Sequence, residues 1–551
     1  MKHIIFSLLL AMSVYIAKSQ TYGAMYRVQF TDKNNSPFSI DKPEEFLSKR
    51  ALERRKAMNI KIDQTDIPVV QSYLNKLNTM GAKVYNCSRW FNTATVFVTD
   101  TLLIPQIEAL PFVSEVVKTK PYSKQNEIKE KTKIATNSTK TNSTSGKIDY
   151  GKGENQAKMI NIDYLHSQGY KGEGIVIAIL DAGFYNVNTL AMFDSLRNDG
   201  RLLGYKDFVL PNNNLFKEAT HGMSVASTIV GNMPGKLVGT APKASVWLLR
   251  SEDANSEFVV EEDNWIAAAE FADSVGADII NSSLGYTTFD DPAQNHTYSD
   301  LDGNTTRAAR GADMAAAKGI IVCNSAGNSG NGLWHYIGTP ADADSIICVG
   351  AVDENREIAS FSSFGPSYDG QIKPTVCAQG KNTVVVSSSG NITISNGTSF
   401  SSPVMAGAVA CLLQANRDKT NMQIIEAVKK SASKYNNPDS AYGYGIPNFI
   451  VANMILKGNI LENPSSENSM LVSPNPFRNK IDIILFSTKE FQGELTLVDS
   501  FGKISKTIKK VNLNSGYNYI LLDNLENLAS GLYVIRFSSD IYSESVKLIK
   551  Q

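Results

Sequence analysis

Ile175-Val176-Ile177-Ala178-Ile179-Leu180-Asp181-Ala182-Gly183 is an unbroken apolar run closed by a carboxylate, a small residue and a glycine. Apolar residues without polar alternation mark a strand covered on both faces, as in a parallel sheet between layers of helices. Runs of the same kind recur at residues 245–249, 278–280, 319–323 and 346–349. Helical patterns fall between them, over residues 221–230, 261–275 and 306–317. This alternation predicts an α/β fold on a doubly wound parallel sheet, spanning residues 154–457. Functional side chains of such a sheet stand at the carboxyl ends of its strands, and Asp181 is so placed.

The chain changes character on both sides of that region. Residues 1–19 begin with Lys2, continue as an apolar run over 4–16 and end at Ala17-Lys18-Ser19, the order of a secretory signal peptide. The run is shorter than the roughly 20 residues of a membrane span, so an exported, soluble protein is expected. Residues 20–122 carry strand patterns at 24–30, 82–90, 94–98 and 113–117, and helical ones at 69–80 and 102–110. With a basic helix over 44–58 set aside, the order is β-α-β-β-α-β, an α+β ferredoxin-like unit. Residues 123–153 are rich in Lys, Asn, Ser and Thr and poor in large apolar side chains. They cannot offset chain entropy by burial, which predicts a polar linker holding a processing site. A second linker covers 458–470. Beyond it, residues 471–551 hold short strands (471–473, 480–486, 494–498, 517–522 and 531–538) and no helical pattern, which predicts a C-terminal β-sandwich.

Composition narrows the function classes. Among 551 residues, 54 basic side chains balance 54 acidic ones, so no net field draws nucleic acid or an anionic membrane. A hydrophobic content of 42% argues against wholesale disorder. Cys87, Cys323, Cys348, Cys377 and Cys411 stand far apart, with no CxxC pair and no clustered histidines. That excludes a disulfide scaffold and a zinc finger; buried free thiols are expected.

Two further segments carry chemistry. Thr220-His221-Gly222-Met223-Ser224-Val225-Ala226 opens a helix of small residues with a histidine. Asn396-Gly397-Thr398-Ser399-Phe400-Ser401-Ser402-Pro403-Val404-Met405-Ala406-Gly407 sets a serine between a Gly-Thr turn and a proline expected in the first helical turn. Singly, each residue has a plain structural use as a cap or a core group. In order, Asp181-Ala182-Gly183, His221-Gly222, Ala326-Gly327-Asn328-Ser329-Gly330 and Gly397-Thr398-Ser399 resemble the subtilisin-like serine proteases. Phe361-Ser362-Ser363-Phe364-Gly365-Pro366 and Asp369-Gly370-Gln371-Ile372-Lys373-Pro374 resemble further landmarks of that family. The Asp, His, Ser order is that of subtilisin and differs from those of chymotrypsin and the α/β-hydrolases.

The resemblance covers residues 160–457 and implies a secreted serine endopeptidase made as a zymogen. Ser399 would attack the scissile carbonyl, His221 would carry its proton and Asp181 would orient His221. Asn328 and the Ser399 N–H would stabilise the oxyanion. Ser283-Leu284-Gly285 would pair with an extended substrate, and Ser325-Ala326-Gly327 would wall the pocket beside the scissile bond. Gly338, at that pocket's base, would leave room for a large apolar residue. Ala182, Met223 and Phe400-Ser401-Ser402 depart from the family pattern and bear on specificity rather than activity.

The flanking units acquire meaning in the same way. The ferredoxin-like unit resembles the family's inhibitory propeptide. Val472-Ser473-Pro474-Asn475-Pro476-Phe477 and Leu528-Ala529-Ser530-Gly531-Leu532-Tyr533-Val534 resemble type A sorting domains of the type IX secretion system. The implied partners are protein and peptide substrates, the chain's own propeptide and an outer-membrane secretion machinery; a monomer, extracellular or attached to the cell surface, is expected. No cofactor is required. The loop 286–303, with Asp290, Asp291, Asp300 and Asp302, is either a plain acidic rim or a place for a structural Ca²⁺. Two other readings stay open: a catalytically silent surface binding protein, and a maturation protease for one specific partner.

Overall fold

The computed structural model describes residues 22–124, 148–210, 214–458 and 468–551. The segment expected to be a signal peptide and the middle of each expected linker lie outside these residues. The N-terminal unit has four antiparallel strands: β1 (Tyr22–Phe30), β2 (Lys83–Ser88), β3 (Thr93–Val98) and β4 (Val113–Lys124). Their order across the sheet is β2-β3-β1-β4. Helices α2 (Gln71–Met80) and α3 (Ile104–Glu108) pack on it through Leu74, Leu77 and Ile107, which completes the ferredoxin-like arrangement. α1 (Lys49–Ala57), the basic helix, turns its Arg54 and Arg55 to the next domain. β4 continues to Lys124, past the expected limit at Val117. Its Lys-Thr-Lys stretch lacks an apolar alternation, and pairing with β1 out to Tyr22 holds it in line.

The central domain is built on seven parallel strands: β5 (Val176–Asp181), β6 (Leu202–Asp207), β7 (Ser245–Arg250), β8 (Ile279–Ser282), β9 (Ile321–Ser325), β10 (Ile347–Val352) and β11 (Val376–Gln379). They lie in the order β11-β10-β9-β8-β5-β7-β6. Every residue of β5 is buried, as the apolar run requires. Ile177 and Ile179 join the core under α4 (His221–Val230), α7 (Thr398–Ala415), α8 (Asn421–Lys430) and α9 (Phe449–Leu456). Val176, Ala178 and Leu180 join the opposite core under α5 (Val260–Val275) and α6 (Arg307–Ala317). α7 is apolar enough to cross a membrane by composition, but it is 94% buried as a core helix. From β5 the chain goes to β6 and β7 on one side, then crosses to β8 on the other. That switch opens a crevice at the carboxyl ends of β5 and β8.

The C-terminal unit packs two antiparallel sheets. One contains β12 (Ser469–Ser473), β13 (Ile481–Ser487) and β16 (Gly516–Leu522); the other contains β14 (Phe491–Asp499), β15 (Ile504–Leu513), β17 (Gly531–Ser538) and β18 (Ser543–Lys550). Phe477, Ile483, Leu497, Ile535 and Phe537 fill the space between them. β15 and β18 were not expected from the sequence. They are the two edge strands of their sheet: exposed Lys509 and Lys510 break the alternation of β15, and β18 turns only Val546 and Leu548 inward as apolar residues while Lys547 stands exposed.

The N-terminal unit docks on α5. Asp263, Glu270 and Asp273 recur on one face of that helix and are all buried. Asp263 meets Arg27 at 3.2 Å. Glu270 accepts from the Arg89 and Trp90 N–H groups at 2.8 and 3.0 Å. Asp273 takes Arg54, Arg55 (2.8 Å) and Arg89 (2.6 Å) together.

Candidate active site

Asp181 ends β5 fully buried, and its carboxylate accepts from Ala182 N at 2.8 Å. His221 opens α4 and sets Nδ1 2.9 and 3.0 Å from the two Asp181 oxygens. A carboxylate only accepts, so Nδ1 carries the proton and Nε2 keeps its lone pair. Two glycines permit this approach. A Cβ on Gly222 would fall 2.4 Å from the Gly183 carbonyl oxygen and 2.8 Å from Asp181 Cβ. A Cβ on Gly183 would fall 2.4 Å from Ala219 N. Burial opposes charge on the imidazole, but the Asp181 carboxylate, through its charge and its hydrogen bond, outweighs burial and leaves the His221 pKa above the ordinary value.

Ser399 is the second residue of α7, after Gly397 at φ 147°. Its Oγ donates to the Ser283 carbonyl at 3.4 Å, and the Ser283 hydroxyl donates back to the Ser399 carbonyl at 2.9 Å. Pro403 explains the second bond. It lies in the second turn of α7, one turn later than expected, because the helix starts at Thr398. Lacking an N–H, it leaves the carbonyl four residues earlier free for Ser283. Among the described residues no hydrogen bond joins Ser399 to His221; the Phe400 ring lies 5.7 Å from the imidazole. Such bonds commonly tighten only with substrate present.

Asn328 sits against the same helix end. Its Oδ1 accepts from Thr398 N at 2.8 Å and from Thr398 Oγ1 at 3.0 Å, which leaves the amide Nδ2 as its donor end. The Thr398 hydroxyl also accepts from Gly327 N at 3.2 Å. Sequence reasoning missed this bridging role of Thr398 and the mutual Ser283–Ser399 bonds. A threonine before the serine was visible, but its partner lies 70 residues away.

The expected substrate residues flank this crevice. Ser283, Leu284 and Gly285 follow β8, with Gly285 exposed. Ser325 ends β9, and Ala326 and Gly327 follow it, Gly327 at φ 112°. The Leu284 carbonyl accepts from Asn324 Nδ2 at 3.1 Å and from Ser325 Oγ at 3.4 Å, which ties the two segments together. Gly338 N donates to the Ala326 carbonyl at 3.3 Å, placing it beside the second wall. Thr287 is its near neighbour: a Cβ on Gly338 would lie 3.0 Å from Thr287 Cγ2.

The acids of the 286–303 loop are not gathered for a cation. Asp291 accepts from Ala293 N, Asp300 from Thr297 N, Asp302 from Asn304 N and Thr305 N, and Asp290 from Glu257 N. Among the described residues, the one group of acids close enough to share a metal is Glu252, Glu257 and Glu261, within 4.8 Å of one another. Burial first, and then neighbouring carboxylates, push their pKa values up, Glu257 to about 7. Glu261 is already spent on the N–H groups of Asp253 and Phe258, and Glu252 on the Tyr286 hydroxyl. The trio supports a loop. The four cysteines in the strand and helix interior of the central domain are buried and unpaired, and Cys87 is unpaired and exposed.

A doubly wound parallel sheet whose carboxyl edge brings together a strand-end aspartate, a helix-heading histidine and a helix-borne serine defines the subtilisin-like fold. The Subtilase family profile matches residues 172–445, a Bacteroidota peptidase S8 propeptide profile matches 25–136, and a secretion-system C-terminal sorting domain matches 471–551. Subtilisin DY of Bacillus licheniformis is 32% identical over 294 residues, covering 53% of this chain and 94% of that protein. Subtilisin NAT of Bacillus subtilis subsp. natto is also 32% identical, over 288 residues that make 52% of this chain and 67% of that protein. A solved prenylagaramide maturation protease superposes with a TM-score of 0.43 at 23% identity, over 54% of this chain and 99% of that one. The chain belongs to the Subtilase family: it is a serine endopeptidase carrying its propeptide and a type IX sorting domain, which directs it to the cell exterior or surface.

Proposed function

We propose that Ser399 is the nucleophile, His221 its general base and then the acid for the leaving amine, and Asp181 the group that holds His221 in the right tautomer. Asn328 Nδ2 and the Ser399 N–H form the oxyanion hole; in subtilisin itself, loss of the asparagine donor costs about 10²–10³ in turnover. The observation that carries this reading is the Asp181–His221 pair at 2.9 Å, with Ser399 at the head of the neighbouring helix in the same crevice. Substrates are proteins and peptides that lie extended along Ser283-Leu284-Gly285. Ser325, Ala326, Gly327 and Thr287 put no charge into the pocket beside the scissile bond, and Gly338 keeps its floor open, which favours a large apolar residue there.

The N-terminal unit is an intramolecular inhibitor, released when the linker between 122 and 153 is cut. The enzyme needs no cofactor. The direct test is intact-mass analysis of the matured protein after a fluorophosphonate, beside Ser399→Ala. One adduct mapping to Ser399 and missing from the variant is expected; an unreactive, folded, propeptide-free enzyme would instead support a silent binding protein.

A further inference from the structure

The last strand of the propeptide carries a lysine into the catalytic domain. Lys120, on β4, places Nζ 3.1 Å from Asp253 Oδ2 and 2.6 Å from Ser256 Oγ. The same Nζ lies 5.4 Å from the centre of the Phe258 ring. One residue earlier, the Thr119 carbonyl accepts from Gln294 Nε2 of the catalytic domain at 3.3 Å. Backbone and side chain of this extended segment are therefore both held by the enzyme.

The seat is tied together by bonds in which the lysine takes no part. Glu261 accepts from Asp253 N at 2.9 Å and from Phe258 N at 3.2 Å, closing the loop at both ends. Glu257 N donates to Asp290 Oδ2 at 3.1 Å, Asp290 N returns a bond to the Glu257 carbonyl at 2.9 Å, and Val259 N donates to Gln294 Oε1 at 3.0 Å. All these partners belong to the catalytic domain. Arg250 approaches Asp253 Oδ1 at 3.9 Å, while Oδ2 accepts from the Ser256 hydroxyl at 3.1 Å and takes Lys120 with its remaining lone pair. What Lys120 brings is a cation, matched by a carboxylate, a hydroxyl and an aromatic face.

The seat also lies close to the chemistry. Ser251 N donates to the Asp181 carbonyl at 3.2 Å, two residues before Asp253. Glu252, between them, accepts from the hydroxyl of Tyr286, the residue that follows Ser283-Leu284-Gly285, at 3.1 Å.

We propose that Asp253, Ser256 and Phe258 form a subsite that selects a Lys or Arg side chain of the substrate, several residues to the N-terminal side of the bond cut. The side follows from chain direction: Lys120 precedes the linker in which the propeptide is severed, so a substrate in the same path presents the corresponding residue upstream of its scissile bond. The proposal rests on the protease reading above. It adds a charge preference remote from the apolar pocket.

The test uses the propeptide-free enzyme and quenched fluorescent peptides that share one apolar residue at the cut. They differ only in carrying Lys, norleucine or Glu at a single position, moved stepwise from the fourth to the eighth residue upstream. At one position kcat/KM for Lys should exceed that for Glu by about tenfold, mainly through KM, as a charge-assisted contact of this kind gives. In Asp253→Asn that ratio should fall to near one. Because the readout is a ratio within one variant, a general loss of activity cancels. A flat profile in the wild type, or an unchanged ratio in Asp253→Asn, overturns the proposal. Fluorescence anisotropy of the same peptides on propeptide-free Ser399→Ala reads the seat without turnover, and the preference for Lys must appear there and vanish with Asp253→Asn. Peptides that bind with the Lys preference but are never cleaved by the wild type would overturn the catalytic reading and leave the subsite standing.

Discussion

His221 stands under two opposed influences, burial against its charge and Asp181 in favour of it, and Asp181 prevails. A general base must be neutral, so a pKa above the ordinary imidazole value of about 6.5 delays activity to higher pH. The ascending limb of kcat/KM should accordingly have its midpoint above that value. In Asp181→Asn the opposing charge is gone and burial is left alone, so the limb should move to lower pH while kcat falls by about 10⁴. A pH–rate profile of both enzymes checks this. A limb that stays put in the variant would mean that it does not report His221.

At the scale of elements, the head of α4 is pressed closely against the turn that follows β5. A methyl group on Gly222 would strike the Gly183 carbonyl oxygen and one on Gly183 would strike Ala219 N, both backbone atoms that cannot swing aside. Gly222→Ala must push the helix start, and His221 with it, off the strand end. A displacement of about 1 Å costs on the order of 10²-fold in rate, and overpacking of this kind costs about 1–3 kcal/mol in stability. The expected outcome is kcat/KM down by about 10²-fold or more in a protein that still folds, measured by peptide hydrolysis beside thermal unfolding. Wild-type activity in Gly222→Ala would refute the role given to this contact.

At the scale of the molecule, the propeptide is fastened by charge. Arg54 and Arg55 of α1 and Arg89, which follows β2, meet on Asp273, whose side chain is fully buried. Arg55 is also held by Asp66 at 2.9 Å, which Lys318 of the catalytic domain reaches at 3.1 Å. Removing one partner from such a cluster leaves buried charge uncompensated, at a cost of about 3–5 kcal/mol. Asp273→Asn should therefore weaken the hold on the severed propeptide by about 10²–10³-fold. In a Ser399→Ala precursor nicked in the linker by an added protease, the release rate of the propeptide gives the answer. Equal release with and without the substitution would place the hold elsewhere, on the Glu270 bonds or the Arg27–Asp263 pair.

The parallel sheet, and the placing of Asp181 at a strand end and of His221 and Ser399 at helix heads, were legible in the chain because they depend on short-range patterns. An unbroken apolar run specifies a strand covered on both faces, and Gly beside Asp or His specifies a close approach. The same holds for the ferredoxin-like order, whose strands and helices carry ordinary periodicity. The acids of α5 share one helical face, but nothing in their spacing names the arginines of the N-terminal unit, which lie 184 to 236 residues away. β15 and β18 escaped notice because an edge strand is held by its neighbour's hydrogen bonds, not by its own apolar alternation. Likewise the bond from Ser283 to the carbonyl freed by Pro403, and the seat of Lys120, exist only once the folded chain sets β8 against α7 and β4 against the Asp253 loop. Local pattern dictates which residues enter strands, helices and turns; which charged and polar groups then satisfy one another is settled by packing, since a buried donor or acceptor must find its partner wherever the fold provides one.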